Sequence, residues 1–171
     1  MDVLFESERL LFRKITKGDF HDLCVILKDA GTMYAWEHAF SDEEVHSWID
    51  HNLKRYANEG YSYFAAIGKA DHHLIGVIGP LTEWIEGEAR IGIAYILNKQ
   101  YWGKGYALEG AAAAMHYAFL HLRAEKVIAQ IRPNNLPSRK VAEKLGMQIE
   151  GEYIKRYRNK DMPHLIYSRT K

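Results

Sequence analysis

Several features common in exported and membrane proteins are missing from this sequence. Cysteine is almost absent from the 171 residues: Cys24 stands alone, which excludes a disulfide within the chain and fits a reducing compartment. Long apolar runs are also missing, because the longest nearly uncharged stretch, residues 110–120, is alanine-rich and too short to span a bilayer. The opening residues MDVLFESERL are acidic and carry no signal-peptide pattern. These absences predict a cytoplasmic protein that does not associate with membranes.

Neither sign of charge is in excess. The 23 basic and 22 acidic side chains give a net charge of +1, and no basic tail or stripe offers a surface for nucleic-acid phosphates. The histidines do not form a metal-binding pattern, since His116 and His121 diverge on a helix while His72 and His73 adjoin in a turn. We therefore predict no nucleic-acid partner and no metal.

What the sequence does contain is the composition and patterning of one globular domain spanning residues 1–171. Hydrophobic residues make up 47% and charged residues 26%, and no linker or repeat interrupts the chain. Capping-box patterns at Thr16/Asp19 and Ser41/Glu44 predict two helix starts. Strand-like runs occur at residues 8–15, 61–67, 74–79, 89–97 and 127–132, with a closing pair around 158–163. The predicted class is α/β with a mixed sheet.

The stretch QYWGKGYALEG, residues 100–110, places two glycines between an apolar strand and a long helix. A helix N-terminus offers unpaired N–H groups and the positive end of the helix dipole. Gly103 and Gly105 have no Cβ, so a ligand can lie directly against the main chain. An anion such as phosphate or pyrophosphate is the natural occupant. The alternative is a bare loop whose glycines only supply turn conformations.

Two common phosphate-binding motifs do not fit this loop. A Walker loop requires GxxxxGK[ST], but Gly103-Lys104 is followed by Gly105. The dinucleotide fingerprint GxGxxG must follow its strand directly, whereas five residues separate Leu97 from Gly103 and the third glycine, Gly110, comes two positions late. The preceding strands also read as an antiparallel meander rather than the opening of a Rossmann unit. Nucleotide binding by either route is excluded.

The pattern that remains, Gln100-x-x-Gly103-x-Gly105 before a helix, resembles the acyl-coenzyme A motif of the GNAT superfamily of N-acetyltransferases. Other segments are similar to that family in order and spacing: residues 10–20 to its RLxLRxxxxxD opening, IGVIGPL (75–81) to its IGxxGL strand, and Asn135-x-x-Ser138, EKLGM (143–147) and Glu150-Gly151 to its NxxSxxxxEKLGF…EG block. The resemblance covers essentially the whole chain and is closest to the ribosomal-protein-alanine N-acetyltransferases. It implies a mostly antiparallel mixed sheet with helices on both faces and a splayed strand pair that holds acetyl-coenzyme A.

The resemblance also implies where acetyl-coenzyme A binds. Its pyrophosphate is expected on the loop N–H groups from Trp102 to Ala107, and its pantetheine arm beside the last residues of the preceding strand. The implied cofactor-binding residues are Tyr95, Ile96, Leu97, Gln100, Trp102, Gly103, Lys104, Gly105, Tyr106, Ala107, Asn135 and Ser138.

Direct acetyl transfer to a primary amine needs help for the leaving sulfur. Thiols ionise near pKa ~8.5, so a hydroxyl donor close to the sulfur suffices, and the resemblance places Ser138 there. Asn135 is expected to contact the pantetheine or to position Ser138. Each residue has a structural alternative, because an early-helix serine can cap backbone groups and Asn135 can serve as a plain N-cap.

The base that would deprotonate the amine is the least defined part of the sequence pattern. Many relatives carry glutamate three positions before the strand tyrosine, as in E-I-G-Y, but this chain has Gly92 there. Glu83, Glu86 and Glu88 lie just upstream, and we name Glu88 as the candidate, acting through water; solvated loop charges are the alternative. An α-amine has pKa ~8 against ~10.4 for lysine, so deprotonating lysine costs about 3 kcal/mol more. The pattern favours a protein N-terminus or a small-molecule amine as acceptor.

Two functions follow from these residues. The first is an acetyl-coenzyme A-dependent N-acetyltransferase, favoured by the intact Asn135/Ser138 block. The second, motivated by the missing strand glutamate, is a non-catalytic acyl-coenzyme A binding or sensing module with the same fold. The oligomeric state, monomer or homodimer, stays open at this point.

Overall fold

One mixed sheet of eight strands runs through the described residues, which are 1–36 and 38–171 of this computed structural model. The strands are β1 (Phe5–Glu6), β2 (Leu10–Lys14), β3 (Phe64–Gly68), β4 (Leu74–Ile85), β5 (Glu88–Leu97), β6 (Lys126–Ile131), β7 (Gln148–Tyr157) and β8 (Lys160–Thr170). Their order is β1-β2-β3-β4-β5-β6-β8-β7, and the neighbours pair antiparallel except β5 with β6. The predicted mixed sheet is confirmed.

Within the described residues, four α-helices connect and cover these strands: α1 (Phe20–Leu27), α2 (Asp42–Glu59), α3 (Tyr106–Leu120) and α4 (Leu136–Lys144). Trp48 of α2 packs against Tyr63 with ring centroids 5.5 Å apart. On α3, Gly110 lies against the side chain of Ile78 in β4. Phe64 pairs with Ile78, so their side chains lie on the same face of the sheet, the face that α3 covers. Tyr63 is the residue before Phe64, and side chains alternate along a strand, so Tyr63 points to the other face. Because Tyr63 contacts α2, the helices α2 and α3 cover opposite faces of the sheet.

The helix boundaries follow the local signals in the sequence. At the start of α2, the Ser41 N–H donates to Glu44 Oε1 over 3.1 Å and the Glu44 N–H donates to Ser41 Oγ over 3.2 Å, which is a complete capping box. Gly60 ends the helix with φ of 88°, a left-handed conformation that glycine adopts without steric cost. Asn135 caps the N-terminus of α4. The helix start predicted at Ser41 is confirmed.

Strand β4 is six residues longer than the sequence predicts. A proline such as Pro80 normally ends a strand, because proline has no N–H to donate to the neighbouring strand. Here β3 pairs with β4 only as far as Ile78, and the alternation of the β4–β5 ladder directs the Pro80 nitrogen toward the edge that β3 has left. No ladder hydrogen bond is lost, and β4 continues through Ile85. Glu83 is therefore a strand residue and not a loop charge.

The closing hairpin is also tighter than predicted. Arg158 and Asn159 alone form its turn, with φ of 52° and 61°, as in the type I′ turns that fit the twist of a hairpin. The remaining residues of the predicted turn, 160–163, pair within β8.

The parallel pair β5–β6 opens after one step. Its single registered position is Gly92 opposite Ile128, in contrast to the long antiparallel ladders on either side. Beyond it, residues 93–97 of β5 and 129–131 of β6 diverge. We call this gap the wedge, and Gly92 and Ile128 mark its apex.

An ion pair between half-buried Arg13 and buried Asp19 holds the corner between β2 and α1. Arg13 donates to both oxygens of Asp19 over 2.9 and 2.8 Å, and the Thr16 N–H donates to Asp19 over 2.8 Å. Burial raises the pKa of Asp19, but these hydrogen bonds outweigh it, so its pKa lies below the usual value. The folded state therefore stabilises the ionised form of Asp19.

We expect Asp19→Asn to lower the free energy of unfolding by about 2 kcal/mol at neutral pH, because hydrogen bonds to a charged group are lost. A lowered folded-state pKa stabilises above the unfolded value near 3.9, and that stabilisation disappears as the pH falls through the folded-state pKa. Urea unfolding at several pH values should show the difference from wild type shrinking below about pH 4. Asp161→Asn, whose pair with Arg156 is solvent-exposed, is the matched control and should change stability by less than about 0.5 kcal/mol.

Candidate active site

The glycine loop presents a row of unpaired backbone donors. Gly103 and Gly105 adopt φ of 74° and 83°, and Gly105 is the N-cap of α3. In the part of the chain that the structure describes, the N–H groups of residues 103–108 make no hydrogen bond of good geometry, although residues 102–105 form a turn. Six consecutive donors at the positive end of a 15-residue helix form a concave site suited to an anion.

A polar anchor fixes this loop from the N-terminal edge of the sheet. Arg9 donates to the Lys104 carbonyl over 3.0 Å and to Glu109 Oε1 over 2.7 Å, and its guanidinium lies 4.0 Å from the centroid of the Tyr106 ring. Glu109 also accepts hydrogen bonds from Ser7 Oγ and the Arg9 N–H. Burial raises the pKa of Glu109, yet these donors bring it below its usual value, so the anchor is an ionised pair. The pair ties the loop and the start of α3 to the segment before β2.

Aromatic side chains connect the loop to the wedge. The Trp102 indole donates to the Leu97 carbonyl over 3.0 Å, while the Trp102 backbone N–H donates to Lys99 over 3.1 Å. Tyr34 meets Trp102 edge to face with ring centroids 6.1 Å apart, and its hydroxyl donates to Asn135 Oδ1 over 3.0 Å. The loop, the end of β5 and the start of α4 are thereby brought together.

Ser138 lies on the α3 side of the wedge. Asn135 Oδ1 accepts its backbone N–H over 3.3 Å, so Asn135 is the N-cap that the alternative interpretation predicts. Ser138 Oγ caps no backbone group of the described residues; it accepts a hydrogen bond of 3.0 Å from the Tyr95 hydroxyl. Burial raises the pKa of Tyr95, although the bond to Ser138 opposes it, so the phenol keeps its proton. The Ser138 proton is left available for another acceptor.

The backbone of β5 has one edge facing the wedge. Just after β5, the Asn98 N–H donates to the carbonyl of Ile75 in the neighbouring strand β4 over 2.9 Å. Because backbone groups alternate in direction along an antiparallel strand, the N–H and C=O of Ile96 also face β4, whereas those of Tyr95 and Leu97 face the wedge. Of the three predicted residues at the end of β5, Tyr95 and Leu97 direct their backbone groups into the wedge, and Ile96 does not.

Other predicted residues lie further from the wedge. The Gln100 and Lys104 side chains are exposed beside the loop, and the Gln100 N–H donates to Asn98 Oδ1 over 3.1 Å. Glu88 is exposed at the start of β5 and lies 3.4 Å from Arg90. Glu88 lies four residue steps along the strand, roughly 13 Å, from the apex at Gly92.

The structure adds two residues that the sequence does not single out, Arg9 and Tyr34, and it places Glu83 in a strand rather than in a loop. Arg9 and Tyr34 carry no local signal, since their roles depend on partners about a hundred positions away. Glu83 stands in β4 with its carboxylate bonded to Gln130 in β6 over 2.8 Å. The run LTEWI, which continues the strand pattern beyond Pro80, is the signal that could have assigned it to a strand.

Neither a membrane-spanning helix nor a metal-binding cluster occurs among the described residues. None of the described helices is long and apolar enough to cross a membrane. Within residues 1–36 and 38–171, no three histidine, cysteine or carboxylate side chains form a group that could hold a metal ion.

Comparison with known proteins identifies the family. Residues 9–148 match the family described as the acetyltransferase (GNAT) domain. The chain is 31% identical over 150 residues to YnaD, an uncharacterized N-acetyltransferase of Bacillus subtilis, covering 87% of this chain and 85% of that protein. A GNAT-family acetyltransferase from Bacillus anthracis superposes with a TM-score of 0.81 at 29% identity, over 99% of this chain and 98% of that one.

RimL, a ribosomal L7/L12 α-N-protein acetyltransferase solved in complex with coenzyme A, superposes with a TM-score of 0.79 at 20% identity, over 99% of this chain and 98% of that one. The chain belongs to the GNAT acetyltransferase family. It is an acetyl-coenzyme A-dependent N-acetyltransferase, and it shares its fold with the ribosomal-protein branch that its motifs resemble.

Proposed function

We propose that this enzyme transfers the acetyl group of acetyl-coenzyme A to a primary amine, either a protein N-terminal α-amine or a small-molecule amine. The observation that carries the proposal is the row of unpaired N–H groups at residues 103–108, placed at the mouth of a wedge between two strands. An extended ligand with phosphates at one end and a reactive group at the other matches this shape. The single free cysteine supports a cytoplasmic location.

The residues present fit acetyl-coenzyme A in two ways. A methyl group placed on Gly103 would meet no atom within 4 Å, so the main chain there is open to a pyrophosphate. The backbone groups of Tyr95 and Leu97 that face the wedge can bind a pantetheine arm as a strand binds an extended peptide. The Leu97 carbonyl already accepts from Trp102, which leaves the Leu97 N–H and the Tyr95 carbonyl for the pantetheine arm and the Tyr95 N–H for the thioester. When bound, the thioester supplies an activated acetyl group.

Ser138 and the β5 backbone supply the chemistry on the α3 side of the wedge. Tyr95 donates to Ser138, so Ser138 can donate its own proton to the departing sulfur. An N–H of β5 directed into the wedge, such as that of Tyr95, can stabilise the negative charge on the carbonyl oxygen. Asn135 fixes the turn that presents Ser138 and keeps its Nδ2 group for the pantetheine.

The acceptor proposal rests on amine basicity and on fold. An α-amine with pKa ~8 is partly neutral at physiological pH, whereas a lysine side chain near 10.4 is almost fully charged. The fold likeness to RimL, which is described as an α-N-protein acetyltransferase, supports a protein N-terminus. We leave monomer and homodimer as alternatives for the assembly.

Thiol release tests the proposed function. The protein is incubated with acetyl-coenzyme A, a thiol reagent and one of three amines: a short peptide with a free N-terminal alanine, spermidine or kanamycin. Amine-dependent release with at least one of them is expected. If calorimetry shows tight binding of acetyl-coenzyme A while no amine accelerates release, the protein is a binding module and the proposal is wrong.

We expect Ser138→Ala to lower kcat about tenfold, because a thiolate leaving group needs only modest assistance. Affinity for acetyl-coenzyme A, measured by calorimetry, should change less than about twofold, since the Asn135 cap accepts a backbone N–H that alanine retains. Ser47→Ala on the exposed side of α2 is the matched control and should leave kcat unchanged. A wild-type kcat in Ser138→Ala would remove Ser138 from the mechanism.

A further inference from the structure

A carboxylate from one strand reaches across its neighbour at the apex of the wedge. Glu83 in β4 accepts a hydrogen bond of 2.8 Å from Gln130 in β6, although β5 lies between these strands. Strands two positions apart in a sheet are separated by roughly 10 Å, so the two side chains meet above β5. They do so over Gly92, where a Cβ would lie 2.5 Å from Glu83 Cδ and 2.6 Å from Oε2. The bridge exists because residue 92 has no side chain.

The bridge leaves two oxygens without donors. Gln130 Oε1 is buried and has no hydrogen-bond partner among the described residues, and its orientation is fixed because Nε2 must face the carboxylate. Of the residues that the structure describes, none donates to Glu83 Oε1 either. A buried acceptor without a partner is costly, so the Gln130 oxygen is expected to meet a donor from a ligand.

The bridge and the Tyr95–Ser138 pair lie on opposite faces of β5. Gly92 and Tyr95 are three positions apart, and side chains alternate along a strand. Glu83 and Gln130 stand above the Gly92 face, on the α2 side, while Tyr95 contacts Ser138 on the α3 side. A nucleophile that arrives over Gly92 meets a thioester in the wedge from the side opposite to the group that protonates the sulfur. The two groups can therefore act on the amine and on the sulfur without competing for space.

The surroundings of Glu83 set its proton affinity. Burial raises the pKa of the carboxyl, while the hydrogen bond from Gln130 and the positive charges of Lys155 in β7 and Arg55 in α2 lower it less. Tyr63 faces it from the α2 side with a buried neutral phenol, and Arg90 is its register partner in β5. A carboxylate with a raised pKa is a stronger base than an exposed one, because its pKa is closer to that of the amine whose proton it must take.

We propose that Glu83 is the general base that takes the proton of the acceptor amine, and that Gln130 Oε1 accepts its second hydrogen. This rests on the proposed acetyl transfer. The neutral amine nitrogen forms a bond to the acetyl carbonyl carbon, the carbon–sulfur bond breaks, and the electron pair leaves with sulfur. The nitrogen proton passes to Glu83 Oε1, the thiolate takes a proton from Ser138, and both residues then exchange protons with solvent. The products are the amide and free coenzyme A.

The proposal gives the site a selectivity for primary amines. A neutral primary amine has two hydrogens, one for Glu83 and one for Gln130, while an N-methylated amine has one. With the secondary amine, either the base or the buried Gln130 oxygen stays without its partner. A site that leaves a buried polar group unpaired discriminates strongly against that ligand.

The test uses the variants Glu83→Gln, Glu83→Asp and Gln130→Leu, with Glu125→Gln as the matched control because it is an exposed carboxylate just before β6. Each protein is assayed with acetyl-coenzyme A and the alanine peptide, its N-methylalanine counterpart, spermidine or kanamycin, from about pH 5 to about pH 9. Cofactor affinity is measured by calorimetry. In the free protein, the Glu83 carboxyl is titrated by carbon-13 NMR, with Glu83→Gln providing the assignment.

We expect Glu83→Gln to lower kcat about a hundredfold with unchanged cofactor affinity, and Glu83→Asp to recover part of the rate. Gln130→Leu should raise the Glu83 pKa in the free protein, move the acidic limb of the rate profile to higher pH, and reduce the preference for the primary amine. Glu125→Gln should behave as wild type. An active wild type with Glu83→Gln within threefold of it would overturn the assignment alone. Absence of amine-dependent release in the wild type would overturn the proposed function and this inference with it.

Discussion

Replacing Gly105 with valine is expected to weaken binding of acetyl-coenzyme A about a hundredfold, or about 2.7 kcal/mol. Gly105 is the N-cap of α3 and lies at φ of 83°, in the middle of the unpaired N–H row. A branched side chain there occupies the space in which the pyrophosphate should meet the backbone. It also approaches the anchor, since a Cβ on Gly105 would lie 3.4 Å from Arg9 Nη2. Both effects displace donors from the phosphate.

The same substitution strains the backbone, so a control must separate strain from loss of contact. Gly60 ends α2 at φ of 88° with no atom within 4 Å of its Cβ position, far from the loop in sequence. Gly60→Val and Gly105→Val should each cost about 1–2 kcal/mol of stability from the left-handed conformation. Calorimetric titration of both folded proteins should show lost affinity in Gly105→Val alone. Equal affinities in the two variants would mean that no phosphate lies on this loop.

The glycine loop could be found from sequence because its determinants are local. Gly103 and Gly105 are adjacent to the helix whose N-terminus they expose, and the positive φ values at both positions are what glycine supplies. The N-cap of α2 at Ser41 and its C-cap at Gly60 are predictable for the same reason. Each feature depends on residues within one or two turns of chain.

The determinants of the wedge are not local. Its apex depends on the pairing of Gly92 with Ile128, and the loop anchor depends on Arg9 meeting Glu109, a hundred positions away. The sequence pattern also predicts that β4 ends at Gly79, which is wrong, because the strand continues through Pro80 to Ile85. With the predicted boundary, Glu83, Glu86 and Glu88 all fall among loop charges.

Strand order explains why Glu83 could be recognised only in the folded protein. Glu83 and Gln130 are 47 positions apart and belong to strands that are not neighbours in the sheet. Their contact needs a residue without a side chain in the strand between them. In the sequence, Gly92 reads as a missing glutamate; in the structure, the same glycine makes room for a carboxylate from β4.

Replacing Gly92 with alanine is therefore expected to lower kcat about a hundredfold, the same loss as removing the base. The added Cβ would overlap Glu83 Cδ and Oε2, and the flexible glutamate side chain would turn away from Gln130. Stability should change by less than about 1 kcal/mol, because the lost hydrogen bond is offset by the better strand preference of alanine. Cofactor affinity should be retained, since the glycine loop and the wedge-facing groups of Tyr95 and Leu97 are untouched.

Gly151→Ala provides the matched control, because Gly151 lies in β7 with no atom within 4 Å of its Cβ position. Steady-state rates, thermal melts and calorimetry on both variants separate a displaced base from a general effect of filling a strand glycine. A slow but stable Gly92→Ala protein that still binds acetyl-coenzyme A locates the chemistry above residue 92. If Gly92→Ala keeps the wild-type kcat while Glu83→Gln is slow, the carboxylate acts from another position, and the bridge to Gln130 is not its catalytic conformation.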